Sequence, residues 1–445
     1  MSFPRYPTYK DSGVEWLGQV PDHWAASKLR WISRRYSGGT PNKEVPEYWQ
    51  EGTVPWLNSG AVNDWLITEP SAYISERALT NSSAKWIPAG SLLMALAGQG
   101  KTKGMTAQLA FPSTCNQSMA AIIPSDEIEP RFLLWWLNAN YQNIRNMAGG
   151  DLRDGLNLEL LGNIPCPLPP HDDQRRIAAF LDHETAKIDT LIAEQQRLIE
   201  LLNEKRQAVI SHAVTKGLNP NAPMKPSGVE WLGDVPKHWV VGGLPRFIGP
   251  VVDYRGRTPE KLDSGMFLVT ARNIRNGKID YEASEEYVSP ASAESLLARG
   301  RPEIGDLLFT MEAPLGSVAQ IDRSDIALAQ RVVKFRGRPG MLENKFLMYY
   351  IMGSFIQARL STLATGSTAL GIKASKLSMI ECVCPPVGEQ LEICAFIDKE
   401  ISRSESLLAY SKSAIDLLQE RRSALISAAV TGQIDVRGFA SQVAA

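Results

Sequence analysis

One heptapeptide occurs twice in this chain, and that repetition restricts the fold more than any other property. Ser12-Gly13-Val14-Glu15-Trp16-Leu17-Gly18 returns as Ser227-Gly228-Val229-Glu230-Trp231-Leu232-Gly233, an offset of 215 residues. Shortly after each copy, Val20-Pro21-Asp22-His23-Trp24 returns as Val235-Pro236-Lys237-His238-Trp239 at the same offset. Chance does not place two tryptophan-bearing blocks in matched register, so the chain is read as two copies of one unit. The match weakens but keeps its register through Pro88–Leu93 against Glu303–Leu308 and Phe132–Trp136 against Phe346–Tyr350. It strengthens again where Pro169-Pro170 and Gln174 face Pro385-Pro386 and Gln390, and where Ala179-Phe180-Leu181-Asp182 faces Ala395-Phe396-Ile397-Asp398. Ala213-Val214-Thr215 and Ala429-Val430-Thr431 close the two copies. Each unit therefore has similar ends and a dissimilar middle, as two scaffolds carrying two different surfaces would.

Within a unit the expected structure is mixed α/β. Val54–Leu57 and Ser91–Leu96 are short apolar runs bounded by Gly, Pro, Asn and Ser, which suits strands and turns. Residues 129–141 read as a helix with Trp135 and Trp136 in the core. Glycine and proline then vanish between Asp172 and Lys216. Ile177, Leu181, Ile188, Leu191, Leu198, Leu202 and Val209 fall at alternating three- and four-residue steps, the seam of a coiled-coil helix. Asp172 and Asp173 are placed to cap its start and Gly217 to end it. At 1.5 Å per residue such a helix is roughly 65 Å long. Residues 388–430 repeat it, with Ile393, Ile397, Leu407, Ala414, Leu418 and Leu425 on the equivalent seam. The chain thus divides into 1–170, a first globular domain with an N-terminal arm, and 171–217, the first long helix. Residues 218–386 form the second domain, and 387–445 the second long helix with a C-terminal tail. The two helices are expected to pair antiparallel, with one domain at each end.

These blocks resemble the specificity subunits of type I restriction-modification systems. Two copies of the SGVEWLG and VP.HW blocks carry the likeness, with an early Gly39-Thr40-Pro41 and a PP…Q…I..F.D entry into each long helix. It extends from about Tyr9 to about Thr431. In the second unit the motif reads Arg257-Thr258-Pro259, without the second glycine. The resemblance implies two target-recognition domains, each reading half of a split site on double-stranded DNA. It implies that the long helices act as spacer and as docking surface for two methyltransferase subunits, with restriction subunits also bound. S-adenosylmethionine and ATP with Mg would be held by those partners, and this chain would carry no cofactor and catalyse nothing.

The residues agree with a non-catalytic reader. Net charge is −1, with 47 basic and 48 acidic residues, which argues against a free-standing DNA binder but not against a subunit whose partners share the phosphate contacts. Cys115, Cys166, Cys382, Cys384 and Cys394 are odd in number and scattered, as in a reduced cytoplasmic protein, and no apolar run reaches membrane-spanning length. The N-terminus has no apolar core and is not a signal peptide. The Asn/Asp-Pro-Pro-aromatic motif of an adenine methyltransferase is missing, since neither Pro169-Pro170-His171 nor Pro385-Pro386-Val387 follows Asn or Asp. Ala95–Thr102 imitates a phosphate-binding loop, but Lys103–Gln108 after it reads as turn and strand rather than helix. Lys101 and Lys103 are instead expected on a loop facing DNA phosphates. His23 and His238 read as scaffold, there being no nucleophile beside them.

Candidate DNA-contacting residues are polar positions in the non-matching loops. In the first unit these are Thr40, Asn42, Lys43, Asn58, Ser59, Lys101, Lys103, Arg153 and Asn157. In the second they are Arg255, Arg257, Thr258, Arg272, Asn273, Arg275, Lys278, Ser367, Thr368 and Lys373. Arginine binds guanine bidentately and asparagine binds adenine, so the second domain's arginines point to guanine in its half-site. Three other readings compete: a cryptic nuclease or methyltransferase, a coiled-coil scaffold that does not touch DNA, and an orphan or anti-restriction reader.

Overall fold

The computed structural model describes residues 3–14, 17–98, 101–147, 155–254, 259–328, 331–365 and 371–439. It divides into two compact units, Met1–Glu194 with Ala414–Ala445, and Gln195–Ser413.

In the first unit the strands are β1 (Ala25–Lys28), β2 (Ser33–Ser37), β3 (Val54–Leu57), β4 (Leu66–Ile67), β5 (Ala72–Ile74), β6 (Leu92–Ala95), β7 (Thr106–Leu109), β8 (Thr114–Cys115) and β9 (Met119–Pro124). A five-stranded sheet runs β2-β9-β6-β7-β4, and a three-stranded sheet runs β8-β3-β5. Helix α1 (Pro130–Ala139) stops short of the expected end because Asn140 turns back and donates Nδ2 to the Trp136 carbonyl at 2.9 Å. Strand β10 (Pro165–Leu168) pairs with β1, and α2 (His171–Lys216) follows. The apolar run of β6 is buried along its whole length because both faces are covered. Leu92 and Met94 face the core built on α1, whereas Leu93 and Ala95 face a second core shared with Leu57 of the small sheet.

The second unit holds β11 (Val240–Gly243), β12 (Val252–Asp253), β13 (Met266–Val269), β14 (Ile274–Arg275), β15 (Lys278–Ile279), β16 (Tyr287–Val288), β17 (Leu307–Thr310), β18 (Val318–Gln320), β19 (Ile326–Leu328) and β20 (Val332–Phe335). Helix α2 of the first unit has its counterpart in α4 (Val387–Val430), which comes after α3 (Asn344–Met352) and β21 (Glu381–Cys384). The sheets run β12-β20-β17-β18 and β16-β13-β19. These orders repeat those of the first unit, except that the larger sheet lacks the fifth strand that β4 supplies there, and in both units the small sheet combines one parallel with one antiparallel pairing. Alternation along β17 repeats too, with Leu307 and Phe309 toward the helices and Leu308 toward the small sheet. The middles that match poorly in sequence thus share one topology. A further departure is the β14–β15 hairpin, whose turn residues Asn276 and Gly277 have φ of 49° and 83°. Both central positions of such a two-residue turn need positive φ, which Asn-Gly supplies.

The repeated heptapeptide stands between two short antiparallel strands, Tyr9–Asp11 with Gln19–Pro21 in the first copy and Met224–Pro226 with Asp234–Pro236 in the second, Glu15 and Trp16 lying outside the described residues. Its glycines take positive φ in both copies, at Gly13, Gly18, Gly228 and Gly233. The Ser12 amide donates to the Gly18 carbonyl at 2.9 Å, and Ser227 to Gly233 at 3.1 Å.

The long helices have the expected extent, and Gly217 leaves α2 with φ of 75°. Their buried stripe departs from the expected one at Leu191, Leu198 and Leu407. Ile177, Leu181, Ile188 and Leu202 are buried, but Leu191 and Leu198 are 45% and 40% exposed, and Leu407 is 41% exposed. The stripe instead takes the neighbouring residues Ile192, Ile199 and Leu408. Adjacent apolar pairs such as Leu191-Ile192 permit two seams, and the partner helix selects one. Within the first unit Arg422 of α4 holds Asp189 of α2 at 2.8 Å. Within the second, Gly217 at the end of α2 lies against Glu389 at the start of α4, so the two run in opposite directions there.

Candidate nucleic-acid interface

The repeated polar residues anchor the helices rather than line a site. His23 Nε2 meets Asp173 Oδ2 at 3.1 Å, and His238 Nε2 meets Glu389 Oε2 at 2.7 Å. Asp173 therefore serves a histidine, not the helix cap expected of it. Gln174 is fully buried, accepting from the Glu129 amide at 2.6 Å and donating to the carbonyls of Glu127 and Pro169 at 3.0 and 2.9 Å. Gln390 does the same with Glu343, Met341 and Pro385. Asp182 accepts from Arg131 and Trp135, as Asp398 does from Lys345 and Tyr349. Both histidines are thereby occupied by the scaffold.

One edge of the first unit's sheets gathers loops with exposed polar side chains. Strand β2 runs into Gly38-Gly39-Thr40-Pro41, where only glycine fits. A Cβ on Gly38 would lie 2.0 Å from the Cys115 carbonyl oxygen, and one on Gly39 2.3 Å from Ser83 Oγ. The Gly39 carbonyl accepts from Trp56 Nε1 at 3.0 Å. Thr40 then donates its hydroxyl to Gln117 Oε1. The Asn116 amide donates to the Leu57 carbonyl at 2.9 Å, which brings Asn58 to the same edge. The Leu96 amide donates to Ser118 and the Leu156 amide to Leu96, which adds the segments leading to Lys101 and to Asn157. Asn42, Lys43 and Lys101 are exposed and Ser59 half-buried. Asn58 and Asn157 spend their side-chain oxygens capping short helical turns, on the amides of Gly60 and Leu160, but remain exposed. Gln117 is not among the expected contacts, although the same residue stands at the matching place as Gln330, 213 positions on.

Lys103 corrects an expectation. It is only 4% exposed, because the turn ahead of β7 folds back onto Ala95 and Arg145, so its ammonium does not project toward solvent. The segment after Lys101 is turn and then strand, so the helix a phosphate-binding loop requires is not there.

In the second unit Arg272 and Lys373 are exposed. Asn273 is fully buried and builds its loop. Its Oδ1 accepts from the Thr270 amide, and its Nδ2 donates to the carbonyls of Asp280 and Ser284, all at 2.9 Å. It has no free edge for a base. Arg275 donates to the Arg272 carbonyl at 3.2 Å and lies 3.9 Å from Asp280. Lys278 lies 3.8 Å from Glu405 of α4, so the hairpin leans on the helix. Arg153, Arg255, Arg257, Thr258, Ser367 and Thr368 lie outside the described residues, as does Gln330. Next to it Arg331 holds φ of 72°, an unfavourable conformation for arginine, and pairs with Glu312 at 3.1 Å.

Burial pushes the thiols of Cys115, Cys166 and Cys394 up to about 12 and that of Cys382 higher still, which makes them poor nucleophiles and ligands. Among the described residues no group of three or more His, Cys, Asp or Glu is placed to hold a metal, and no helix is long and apolar enough to cross a membrane.

The type I restriction modification DNA specificity domain matches this chain twice, over residues 21–201 and 248–409. The type I restriction enzyme MjaVIII specificity subunit of Methanocaldococcus jannaschii is 22% identical over 95% of this chain and 95% of its own length. The EcoKI specificity subunit of Escherichia coli is 20% identical over 94% of this chain and 90% of its own. The EcoR124I/EcoR124II specificity subunit of E. coli is 30% identical over 41% of this chain and 43% of its own. Among solved structures, a chain described for complex assembly and conformational transition of the type I R-M system superimposes with a TM-score of 0.70, at 17% identity, covering 92% of this chain and 98% of that one. The HsdS subunit of Thermoanaerobacter tengcongensis gives 0.56 at 16% identity, covering 93% and 98%.

Proposed function

The chain belongs to the type I restriction-modification DNA specificity family, and from that premise we infer that each of its units reads one half of a split DNA site for a complex whose chemistry resides in other subunits. One observation carries this reading: a single topology occurs twice, with the same buried anchors and a different set of polar loops on each copy. Thr40, Asn42, Lys43, Asn58 and Gln117 serve the first half-site, and Arg272, Arg275 and Lys373 the second. Asparagine and glutamine suit adenine, and arginine suits guanine. Each unit enters the major groove, and the two half-sites lie about one helical turn apart with unread bases between them.

The long helices carry the partners. Their outer surfaces leave leucines uncovered at equivalent places, Leu191 with Leu407 and Leu201 with Leu417. Each unit thus presents one such leucine from each helix, and each presents them to one methyltransferase subunit. S-adenosylmethionine belongs to that subunit, which flips the adenine out of the stack, and ATP with Mg belongs to the restriction subunits.

The test is methylation mapping of DNA from cells that hold the methyltransferase subunit with and without this chain. Chain-dependent adenine methylation in a two-part motif with a fixed gap is expected. Methylation that is independent of the chain, or that falls in one uninterrupted motif, overturns the reading.

A further inference from the structure

Strand β2 lies at the edge of its sheet, with β9 as its neighbour. Arg34 and Tyr36 are two residues apart on it and so share a face. The Arg34 guanidinium carbon lies 5.9 Å from the centre of the Tyr36 ring. Lys85 Nζ, from a different segment, lies 5.8 Å from the same ring. The ring is itself held, its hydroxyl donating to the Trp86 carbonyl at 2.5 Å. Both cations are exposed, and neither has an ion pair or hydrogen bond among the described residues. Some basic side chains of this unit are paired instead, Arg77 with Glu47 and Arg131 with Asp182. Two like charges held at one ring repel each other unless an anion lies between or beside them.

The place of this pair identifies the anion. Three residues beyond Tyr36 the chain enters the Gly39-Thr40 loop, and the segment carrying Lys85 touches that loop through Ser83, beside Gly39. In the second unit the strand register puts Pro250 and Val252 at the places of Arg34 and Tyr36. The hydroxyl that meets the facing segment there is that of Tyr254, on the Gly300 carbonyl, and the neighbouring Arg299 donates to the Asp253 carbonyl at 2.8 Å, so the exposed pair of cations is not repeated. We propose that Arg34 and Lys85, braced by Tyr36, clamp backbone phosphates of the DNA beside the first half-site. The clamp rests on the reading of the chain as a DNA-specificity subunit and adds to it a positioning contact that one unit has and the other lacks. A contact of this kind holds the register of a duplex without sensing sequence.

The experiment uses the complete complex with its methyltransferase subunits and two duplexes, one bearing the mapped motif and one with it scrambled. Affinities are measured across a salt series for wild type, Arg34→Gln/Lys85→Gln and Tyr36→Phe. Each phosphate contact contributes about 0.9 to the slope of log affinity against log salt. The double variant is expected to lower that slope by about 1 to 2 on both duplexes and to weaken both by a similar factor, on the order of tenfold at moderate salt. Tyr36→Phe keeps the ring and leaves the slope in place. An unchanged slope in the double variant overturns the clamp, and so does a loss confined to the motif-bearing duplex, which would mean base reading. Unchanged DNA affinity with weakened subunit assembly also overturns it, in favour of an acidic protein surface. A wild-type complex that does not distinguish the two duplexes overturns the function itself, a result separate from any of these.

Discussion

At the start of α4 one carboxylate, Glu389, accepts from both His238 Nε2 at 2.7 Å and Trp239 Nε1 at 3.1 Å. At the equivalent place on α2 stands Asp173, one methylene shorter. It reaches His23, but the buried Trp24 Nε1 has no partner among the described residues. Both tryptophans are fully buried nonetheless. Removing such a ring costs about 3–5 kcal/mol, whereas an unsatisfied buried donor costs about 1–3 kcal/mol. Ring burial therefore decides the fold, and the two copies were free to diverge in how completely the polar shell is finished.

A second contrast lies about two turns further along. Phe180 is fully buried between Phe3 and Phe439, whose rings lie 5.1 and 4.9 Å away edge-on. Its counterpart Phe396 is 39% exposed. The first unit receives both chain termini, tied together where the Asp435 amide donates to Pro4 and the Tyr9 hydroxyl to Gly432. In the second unit residues 217–223 stand at the matching sequence positions, and they bring no aromatic ring to Phe396. A scaffold built from two copies of one plan is thus sealed by chain ends in one copy only.

The largest effect expected is one the copies share. Gln174→Ala and Gln390→Ala each strand one amide and two carbonyls, so each should cost its own unit about 3 kcal/mol, read by hydrogen exchange at Glu129 and Glu343. Unequal losses would break the equivalence of the anchors. Next, Phe439→Ala should lower the stability of the first unit by about 2 kcal/mol, while Phe396→Ala costs the second less than about 1 kcal/mol, measured by denaturant titration with exchange mapping. Equal costs would contradict the sealing role of the tail. Asp173→Glu should stabilise the first unit by about 1 kcal/mol by reaching Trp24 Nε1, and Glu389→Asp should cost the second a similar amount. The smallest effect is acid loosening of the tail. The hydrogen bond from Arg437 holds the Asp435 carboxyl below its ordinary value, so the tail's stability is complete above about pH 4 and declines as pH falls through the depressed value. The protection factor of the Asp435 amide, with the intrinsic pH dependence of exchange divided out, should fall below about pH 4, and an unchanged protection factor would remove the Asp435–Arg437 pair from the account.

Much of this plan is legible in the sequence because helices and anchors announce themselves locally. The first long helix follows from an unbroken stretch free of Gly and Pro, the second from its repeat of that stretch, and β3 and β6 from apolar runs between turn residues. The seam departs from its heptad spacing at Leu191 and Leu198 because the choice between them and Ile192 and Ile199 is made by the opposing helix, which the spacing does not report. The shared topology of the middles is hidden because buried strands accept many apolar sequences, so Leu92–Ala95 and Leu307–Thr310 keep their role while changing residues. Side-chain direction in loops is the least legible part. Lys103 and Asn273 look like surface polar residues and are buried, the first by a turn folding back and the second by three bonds to its own loop. The Asn276-Gly277 pair does signal its hairpin, and Gln117 with Gln330 is a match that an alignment of the two middles would expose.

The central claim is that the duplicated units are two separate readers. Its most direct test replaces residues 25–168, from β1 through β10, with the corresponding segment of another family member of known specificity, followed by methylation mapping of the assembled complex. The account predicts that one half of the split motif changes to that of the donor while the other half and the gap are retained. A motif that changes in both halves would contradict it.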